Sequence, residues 1–307
     1  MNTTAAKTIA QENYPMRTVS AITGVNPVTL RAWERRYGLI KPARTPKGHR
    51  LYTDKDIELV TRILRLLDRG ISISQVSNSL RADISKPAET PQQTTDPWIT
   101  YRGRAIDAIV RFDENHLDNL YNQVLALYPI NIVTEQLLIP VLIDLGERWM
   151  NTDGSIAEEH FFGAFMRNKL GARFHHRNKR TTGTKLLVCC LPDEHHEIGV
   201  MLFSLAAHDH GFRLVYLGPN MPLGELAQTA RHADCDGIVL SGSLTPSEKL
   251  LASDLPVLVK QAECPIFIGG QSSVRCSQAI ESAGALPVGT DIRASIKRIE
   301  NAFLQLQ

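Results

Sequence analysis

Residues 185–199 read KLLVCCLPDEHHEIG, and this stretch decides the fold of the second half of the chain. Its six consecutive apolar residues have the length of a buried strand, and a polar loop then leads into a helical pattern. Three more short apolar runs follow, each separated from the next by a helical segment, at 213–217, 237–241 and 266–268. This alternation predicts a parallel sheet with crossover helices over residues 183–307.

The charge distribution separates the N-terminal part from the rest. Residues 1–81 hold 14 Lys and Arg against 6 Asp and Glu, a net charge of +8, whereas the remainder carries −6. A basic part on an acidic body indicates that only this part meets a polyanion such as double-stranded DNA. No run reaches 18 apolar residues and the first residues lack the apolar core of a signal peptide, so we expect a cytoplasmic protein and no membrane partner.

Two short helices are predicted in the basic part, over 16–24 and 27–37. Asn26 is suited to cap the second helix, and a proline occupies the first position after it. The second helix directs Arg31 and Arg35 to one face, from which guanidinium groups can reach guanine edges and phosphates in a major groove. This spacing is typical of a helix-turn-helix.

Residues 43–52 predict a hairpin wing with Lys47 and Gly48 at its tip. The strings VTLRAWERRYGL (28–39) and GHRLYTDKDI (48–57) resemble the winged helix-turn-helix of the MerR family of regulators. The residues predicted to contact DNA, by position on the helix or wing and by this resemblance, are Arg31, Arg35, Arg36, Tyr37, Arg44, His49 and Arg50. Sustained heptads after this domain are missing, so oligomerisation is expected to depend on later parts of the chain.

Four segments therefore make up the predicted fold. Residues 1–84 form the winged helix-turn-helix domain, and the proline-containing polar stretch 85–98 is a linker. Residues 99–182 repeat apolar residues at helical spacing and predict a bundle of four or five helices. Residues 183–307 form a Rossmann-like parallel-sheet domain, so the fold class is multi-domain α and α/β.

Three short motifs lie where strands of the predicted sheet end. Glu194-x-His196-x-x-Gly199 follows the first strand, Ser241-Gly242-Ser243 ends the third, and Gly269-Gly270 ends the fourth. Ligands bind at the carboxyl edge of such sheets, and small residues there open a slot beside the backbone. A neutral imidazole is a good ligand for a transition metal, and a carboxylate beside it fixes its tautomer.

These motifs are similar to the DxHxxG, SxL and GG pattern of the cobalamin-binding domain of methionine synthase and mutases. The resemblance implies that His196 is the metal ligand to cobalt and that the displaced tail of the cofactor enters the slot. Two positions depart from the pattern, since Glu194 replaces an Asp and Ser243 replaces a Leu. The implied cofactor residues in this domain are Glu194, His196, Gly199, Ser241, Ser243, Gly269 and Gly270.

A fourth motif lies in the bundle, where Trp149, nine further residues and Glu159-His160 form the pattern Wx9EH. This pattern resembles the CarH/LitR group of cobalamin-dependent photoreceptor repressors. The resemblance implies that Trp149, Glu159 and His160 meet the upper ligand, and that adenosylcobalamin is the expected form of cobalamin. Well-known members of the group carry a histidine directly after the tryptophan, whereas this chain has Met150, and a thioether is a weaker ligand for oxidised cobalt.

The expected function is that of a light- and cobalamin-responsive transcriptional regulator, a repressor by resemblance, without enzymatic activity and with no catalytic residues. Its operator complex is expected to be a homo-oligomer, a tetramer by resemblance, that forms in the dark and releases DNA after photolysis of the Co–C bond. Two alternatives stay open: a MerR-like regulator that senses cobalamin without light, and a cobalamin-free MerR-type activator. A methyltransferase or mutase component is disfavoured by the DNA-binding domain and by the lack of a catalytic barrel.

Overall fold

The computed structural model describes residues 13–82, 96–150, 154–175 and 182–305. Backbone contacts divide the chain into two compact units, Met1–Phe162 and Gly163–Gln307. Most of the predicted linker lies outside the described residues, but its last two residues belong to a helix, in which Trp98 is fully buried. Over the described ranges, none of the helices combines the length and the apolar character needed to cross a bilayer.

The N-terminal part of the first unit, called the reader below (residues 14–82), is a winged helix-turn-helix as predicted. Gly24 ends the first helix in the left-handed conformation, and the second helix begins three residues later. A three-stranded antiparallel sheet of order β1-β3-β2 forms the wing. The elements are β1 (Tyr14–Pro15), α1 (Met16–Thr23), α2 (Pro27–Ala32), a π-helical turn (Trp33–Tyr37), β2 (Ala43–Arg44), β3 (Arg50–Tyr52), α3 (Asp54–Asp68) and α4 (Ile73–Ala82).

The helical bundle contains four long helical segments, which confirms the lower of the two predicted numbers for the described residues. The helices are α5 (Pro97–Val110), α6 (Glu114–Leu127), α7 (Ile130–Val133), which continues through a π-helical turn (Thr134–Leu138) into α8 (Ile139–Met150), and α9 (Ile156–His175). The buried rings of Trp98 and Tyr128 pack with their centroids 4.6 Å apart. The boundary between the two units falls within α9.

The second unit is built on a five-stranded parallel sheet of order β5-β4-β6-β7-β8. Its strands are β4 (Lys185–Cys190), β5 (Arg213–Gly218), β6 (Gly237–Ser241), β7 (Ile266–Gly269) and β8 (Leu286–Gly289). The connecting helices are α10 (Ile198–His210), α11 (Leu223–His232), a π-helical turn (Leu250–Asp254) that leads into α12 (Leu255–Gln261), α13 (Gln271–Arg275), α14 (Ser277–Ser282) and α15 (Ile292–Gln305).

Strand β4 explains why this sheet is buried on both faces. Leu187 and Cys189 point into one core cluster, and Leu186 and Val188 point into the cluster on the opposite face. An uninterrupted apolar run is what a strand covered by helices on both sides requires. Strand β8 was missing from the sequence prediction, because it is a short edge strand that contains a proline.

Candidate functional site

The recognition helix of the reader begins at a well-formed cap. Asn26 Oδ1 accepts hydrogen bonds from the backbone N–H groups of Val28 (2.6 Å) and Thr29 (3.4 Å). The helix then widens into the π-helical turn Trp33–Tyr37, which carries two of the predicted DNA-contacting arginines. The side chains of Arg31, Arg35 and Arg36 are exposed, whereas Tyr37 is half-buried. The structure therefore brings three guanidinium groups together on one short helical segment.

The wing is tied to this segment by Glu34. Its carboxylate accepts hydrogen bonds from Arg44 Nη2 at 2.9 Å and from Arg50 Nε. Burial opposes ionisation of Glu34, but the two guanidinium groups outweigh it and lower the pKa of its carboxyl. The Glu34 carboxylate in turn raises the pKa of Arg50, whose side chain is only 13% exposed.

The sequence predicted Arg44 and Arg50 as DNA contacts, and the structure gives both a second role within the protein. Arg50 forms a salt bridge with Glu34 that links the wing to the recognition segment. Arg44, which is more exposed, forms a second salt bridge with the same carboxylate. His49 is exposed near the tip of the wing, next to Gly48, whose φ of +82° suits the turn. The predicted DNA contacts of these residues stay predictions.

The buried side of the recognition segment contacts the end of helix α6 in the same unit. Thr29 Oγ1 donates a hydrogen bond to the Leu125 carbonyl (3.2 Å), and Trp33 Nε1 donates one to the Leu127 carbonyl (2.9 Å). The last four carbonyls of a helix lack donors within that helix, so these two side chains satisfy groups that would otherwise be unpaired. The sequence held no sign that the hydrogen-bond partner of Trp33 lies 94 residues further along the chain.

In the second unit, the three predicted motifs meet at the carboxyl edge of the sheet. Cys190 pairs with Ser241, and Ser241 pairs with Gly269 across neighbouring strands. His196 lies in the loop between β4 and α10, and its side chain is 47% exposed. Ser241, Ser243, Gly269 and Gly270 are all partly exposed at this edge. The predicted lower-ligand and slot residues of this domain are thus brought together.

Glu194 organises this edge although only 3% of its surface is exposed. Its Oε1 accepts hydrogen bonds from the His196 backbone N–H (2.9 Å) and lies 2.5 Å from His196 Nδ1. Its Oε2 accepts hydrogen bonds from the backbone N–H groups of Ser243 (2.5 Å) and Leu244 (3.0 Å). One carboxylate therefore joins the loop after β4 to the loop after β6.

The electrostatics of Glu194 favour one state of the histidine. Burial opposes ionisation, but hydrogen bonds from His196 and from the Ser243 and Leu244 backbone outweigh it and hold the pKa of Glu194 at about 2. A carboxylate that stays charged holds a proton on Nδ1, which leaves the lone pair of the neutral ring on Nε2. This is the arrangement in which a protein imidazole serves as a metal ligand.

The glycines at this edge serve two different purposes. A Cβ on Gly270, which has a φ of +81°, would lie 2.4 Å from the Gly242 carbonyl oxygen, and a Cβ on Gly242 would lie 2.3 Å from Ser272 Oγ. Gly270 allows two neighbouring loops to pack backbone against backbone, whereas Gly242 makes room for the side chains of Ser272 and Leu191. A Cβ on Gly269 would have only ordinary contacts, and one on Gly199 would meet no atom within 4 Å. Gly199, three residues after His196, therefore leaves room for a bound group at this surface.

The fourth motif, Wx9EH, is only partly described. Trp149 and Met150 end helix α8, but their side chains lie outside the described residues. Glu159 is half-buried and His160 is exposed in the first turns of α9. These residues belong to the first unit and His196 to the second.

Sequence reasoning missed two residues that hold the His196 loop. Asn220, after β5, accepts a hydrogen bond from the Asp193 backbone N–H (2.9 Å), and its own N–H donates to the Glu194 carbonyl (2.9 Å). Glu197 is 8% exposed and binds Arg167 and Tyr216. The only sequence feature that could have pointed to Glu197 was the presence of an acidic residue directly after His196.

Comparisons with known proteins agree with this arrangement. Residues 14–83 match the family described as MerR HTH family regulatory protein, and residues 101–173 match the family described as B12 binding domain. The HTH-type transcriptional repressor CarH of Myxococcus xanthus is 29% identical over 288 residues, which cover 89% of this chain and 93% of that protein. The HTH-type transcriptional regulator MlrA of Escherichia coli is 51% identical over 131 residues, or 42% of this chain and 50% of that protein.

The fold of the C-terminal half has a solved counterpart. The monomethylamine corrinoid protein of Methanosarcina barkeri superposes with a TM-score of 0.52 at 19% identity, covering 66% of this chain and 98% of that chain. Likeness at this identity supports the fold of the helical bundle and sheet, and no more. The chain thus combines a helix-turn-helix region of the MerR type with a B12 binding domain, and it is similar to the repressor CarH over most of its length.

Proposed function

We propose that this protein is a repressor that binds operator DNA as an adenosylcobalamin-stabilised oligomer in the dark and releases it in light. The observation that carries the proposal is the Glu194–His196 pair at the sheet edge of a chain whose other end is a DNA reader. A cobalamin site alone would suit an enzyme as well. In a chain that also contains a DNA reader, a cobalamin site is better suited to a sensor that controls DNA binding.

The proposed cofactor contacts come from both parts of the chain. His196 supplies the lower imidazole, and Glu194 fixes its orientation and its proton. Ser241, Ser243, Gly269 and Gly270 surround the space proposed for the nucleotide tail. By resemblance, Trp149, Glu159 and His160 meet the upper ligand. Bound adenosylcobalamin supplies a cobalt–carbon bond that visible light breaks.

The proposed DNA contacts come from the recognition segment and the wing, with Arg31, Arg35 and Arg36 exposed for this role. A single reader of this size gives modest affinity. Linking several readers in one oligomer raises the apparent affinity by about 10² or more without any new contact. We propose a tetramer in the dark, and we expect its dissociation in light to remove this gain.

A visible absorption spectrum tests the cofactor. Purified protein mixed with adenosylcobalamin in the dark is expected to bind it, and His196→Ala is expected to weaken binding about 10- to 100-fold, the range for loss of groups that fix a metal. His195→Ala is the matched control, because this neighbouring histidine is exposed and has no proposed role. Equal binding by the wild type and His196→Ala would refute the assignment of the ligand.

The response to light needs a second measurement. The loaded protein is compared before and after green light by light scattering for its mass and by fluorescence anisotropy for its affinity to a duplex selected from random sequences. We expect a lower mass and a weaker affinity after illumination. Identical mass and affinity in both states would leave a cobalamin-binding regulator that does not respond to light.

That result would favour the second candidate, a regulator that senses cobalamin without light. Met150 is the observation in its favour, since the resemblance to photoreceptors places a histidine at this position. The candidate predicts that adding cobalamin alone changes DNA affinity, equally in dark and light. A cobalamin-free activator, the third possibility, predicts that no cobalamin binds.

A further inference from the structure

Glu197 has a buried carboxylate that does not cap the helix at whose N-terminus it lies. It is 8% exposed, follows His196 directly and stands at the N-cap of α10, yet its side chain makes no capping hydrogen bond. A buried carboxylate is stable only when other groups pair with it. Its partners must therefore come from other elements of the second unit.

Two side chains from two elements supply them. Arg167 of helix α9 donates from Nε to Oε1 of Glu197, and Tyr216 of strand β5 donates from its hydroxyl to Oε2 at 2.8 Å. Phe174, two turns further along α9, stacks on the Tyr216 ring with centroids 5.8 Å apart and an interplanar angle of 23°. Helix α9 and strand β5 thus hold both oxygens of a single carboxylate.

The loop that presents His196 is consequently fixed at both ends. On one side Glu194 binds the backbone of Ser243 and Leu244 after β6. On the other side Glu197 binds α9 and β5. Between these anchors, the Glu197 N–H donates to the His195 carbonyl at 2.9 Å, which makes the turn tight.

The arginine that binds Glu197 has a further property. Arg167 and Phe174 are seven residues apart on α9, so they lie on the same face of that helix. His160 precedes Arg167 by seven residues and lies on this face as well. The helix face that Glu197 anchors therefore continues into the Wx9EH motif.

We propose that Glu197 is a positioning residue for the proposed cobalt ligand: through Arg167 and Tyr216 it holds the His196 loop in the orientation in which His196 would bind cobalt. This inference rests on the proposed function, because it presumes that His196 coordinates cobalt. It adds a residue on the opposite side of the histidine from Glu194, acting on the loop backbone and not on the imidazole.

Electron paramagnetic resonance of bound cob(II)alamin tests the inference. In ¹⁵N-labelled protein, coordination by His196 splits the cobalt lines into doublets, whereas the unlabelled base of the cofactor gives triplets and water gives no nitrogen splitting. We expect the wild type to show doublets. In Glu197→Gln the ratio of uncoordinated to His196-coordinated cobalt is expected to rise on the order of tenfold, the lower end for loss of a supporting partner.

Two further variants separate positioning from folding. Tyr216→Phe keeps the stacked ring and removes only the hydroxyl, so it should shift the same ratio in the same direction by a smaller factor. Glu263→Gln, an exposed residue outside this network, should leave the ratio unchanged. Thermal unfolding of the cobalamin-free proteins is measured in parallel, because a merely structural role would lower the melting temperature without changing the ratio in the folded, loaded protein.

The outcomes are distinguishable from failure of the proposed function. Doublets in the wild type with unchanged ratios in Glu197→Gln and Tyr216→Phe overturn the positioning role and leave the cofactor assignment intact. A wild type without doublets overturns both. If Glu197→Gln does not fold, Tyr216→Phe decides alone, and an unchanged ratio there overturns the inference.

Discussion

At the scale of single residues, Glu34 is an unexpected feature of a surface proposed to contact DNA. A negative charge there repels phosphates, and it neutralises two arginines that could otherwise contact them. Its position at the start of the π-helical turn lets it hold Arg44 and Arg50, and with them the wing. We interpret Glu34 as a residue that lowers the sequence-independent affinity for DNA and in return fixes the orientation of the wing.

Replacing Glu34 by Gln therefore has two opposite effects. Affinity for a scrambled duplex should rise, and its salt dependence should steepen by up to about 0.9 for each arginine that gains a phosphate contact. The ratio of affinities for the selected and scrambled duplexes should fall, because the wing is no longer fixed. Fluorescence anisotropy across a range of salt concentrations measures both, with Glu58→Gln, an exposed residue of α3, as control. An unchanged ratio would count against this role.

At the scale of elements, the two adjacent glycines after β7 differ in what they allow. Gly270→Ala places a methyl group 2.4 Å from the Gly242 carbonyl oxygen at a φ of +81°, and should destabilise the protein by about 2 to 5 kcal/mol. Gly269→Ala has a nearest contact of 3.4 Å to Val288 and should change stability by less than about 1 kcal/mol. Urea unfolding of the cobalamin-free variants measures this difference.

Titration of Gly269→Ala with cobalamin then tests the slot by itself. If Gly269 lines the tail site, the variant keeps its stability and binds cobalamin more weakly. Equal stability of the two alanine variants would contradict the packing described for Gly270.

The elements show which parts of the fold the sequence could predict. Helices α1 and α2, the wing and strands β4 to β7 followed from caps, glycines and apolar runs, which are local signals. The three π-helical turns could not be predicted from the sequence, because a single inserted residue leaves the spacing of the apolar residues almost unchanged. At the site, Glu194 and His196 were predictable from a motif, whereas Asn220 and the Arg167–Glu197–Tyr216 network join residues far apart in the chain.

At the scale of the whole molecule, the reader and helices α5 to α8 of the bundle belong to one compact unit. The hydrogen bond from Trp33 to the Leu127 carbonyl is its most buried polar link. Movement of helix α6 would therefore be transmitted directly to the recognition segment.

Trp33→Phe tests this link, because it keeps an aromatic ring and leaves the Leu127 carbonyl without its donor. We expect a loss of stability about 1 to 3 kcal/mol greater than for a matched change that breaks no hydrogen bond. Trp98→Phe is that control: Trp98 is equally buried, but its Nε1 has no hydrogen-bond partner among the residues that the structure describes. Urea unfolding followed by circular dichroism compares the two, and equal losses would show that the hydrogen bond contributes nothing.

The way in which the reader contacts α6 has a consequence for how such proteins evolve. Thr29 and Trp33 both bind backbone carbonyls, and a carbonyl is present whatever side chain stands at positions 125 and 127. The bundle can therefore change its sequence there without losing these two bonds. A reader with a threonine and a tryptophan four residues apart could be exchanged between bundles by recombination, so new operators could be joined to an existing sensor in one step.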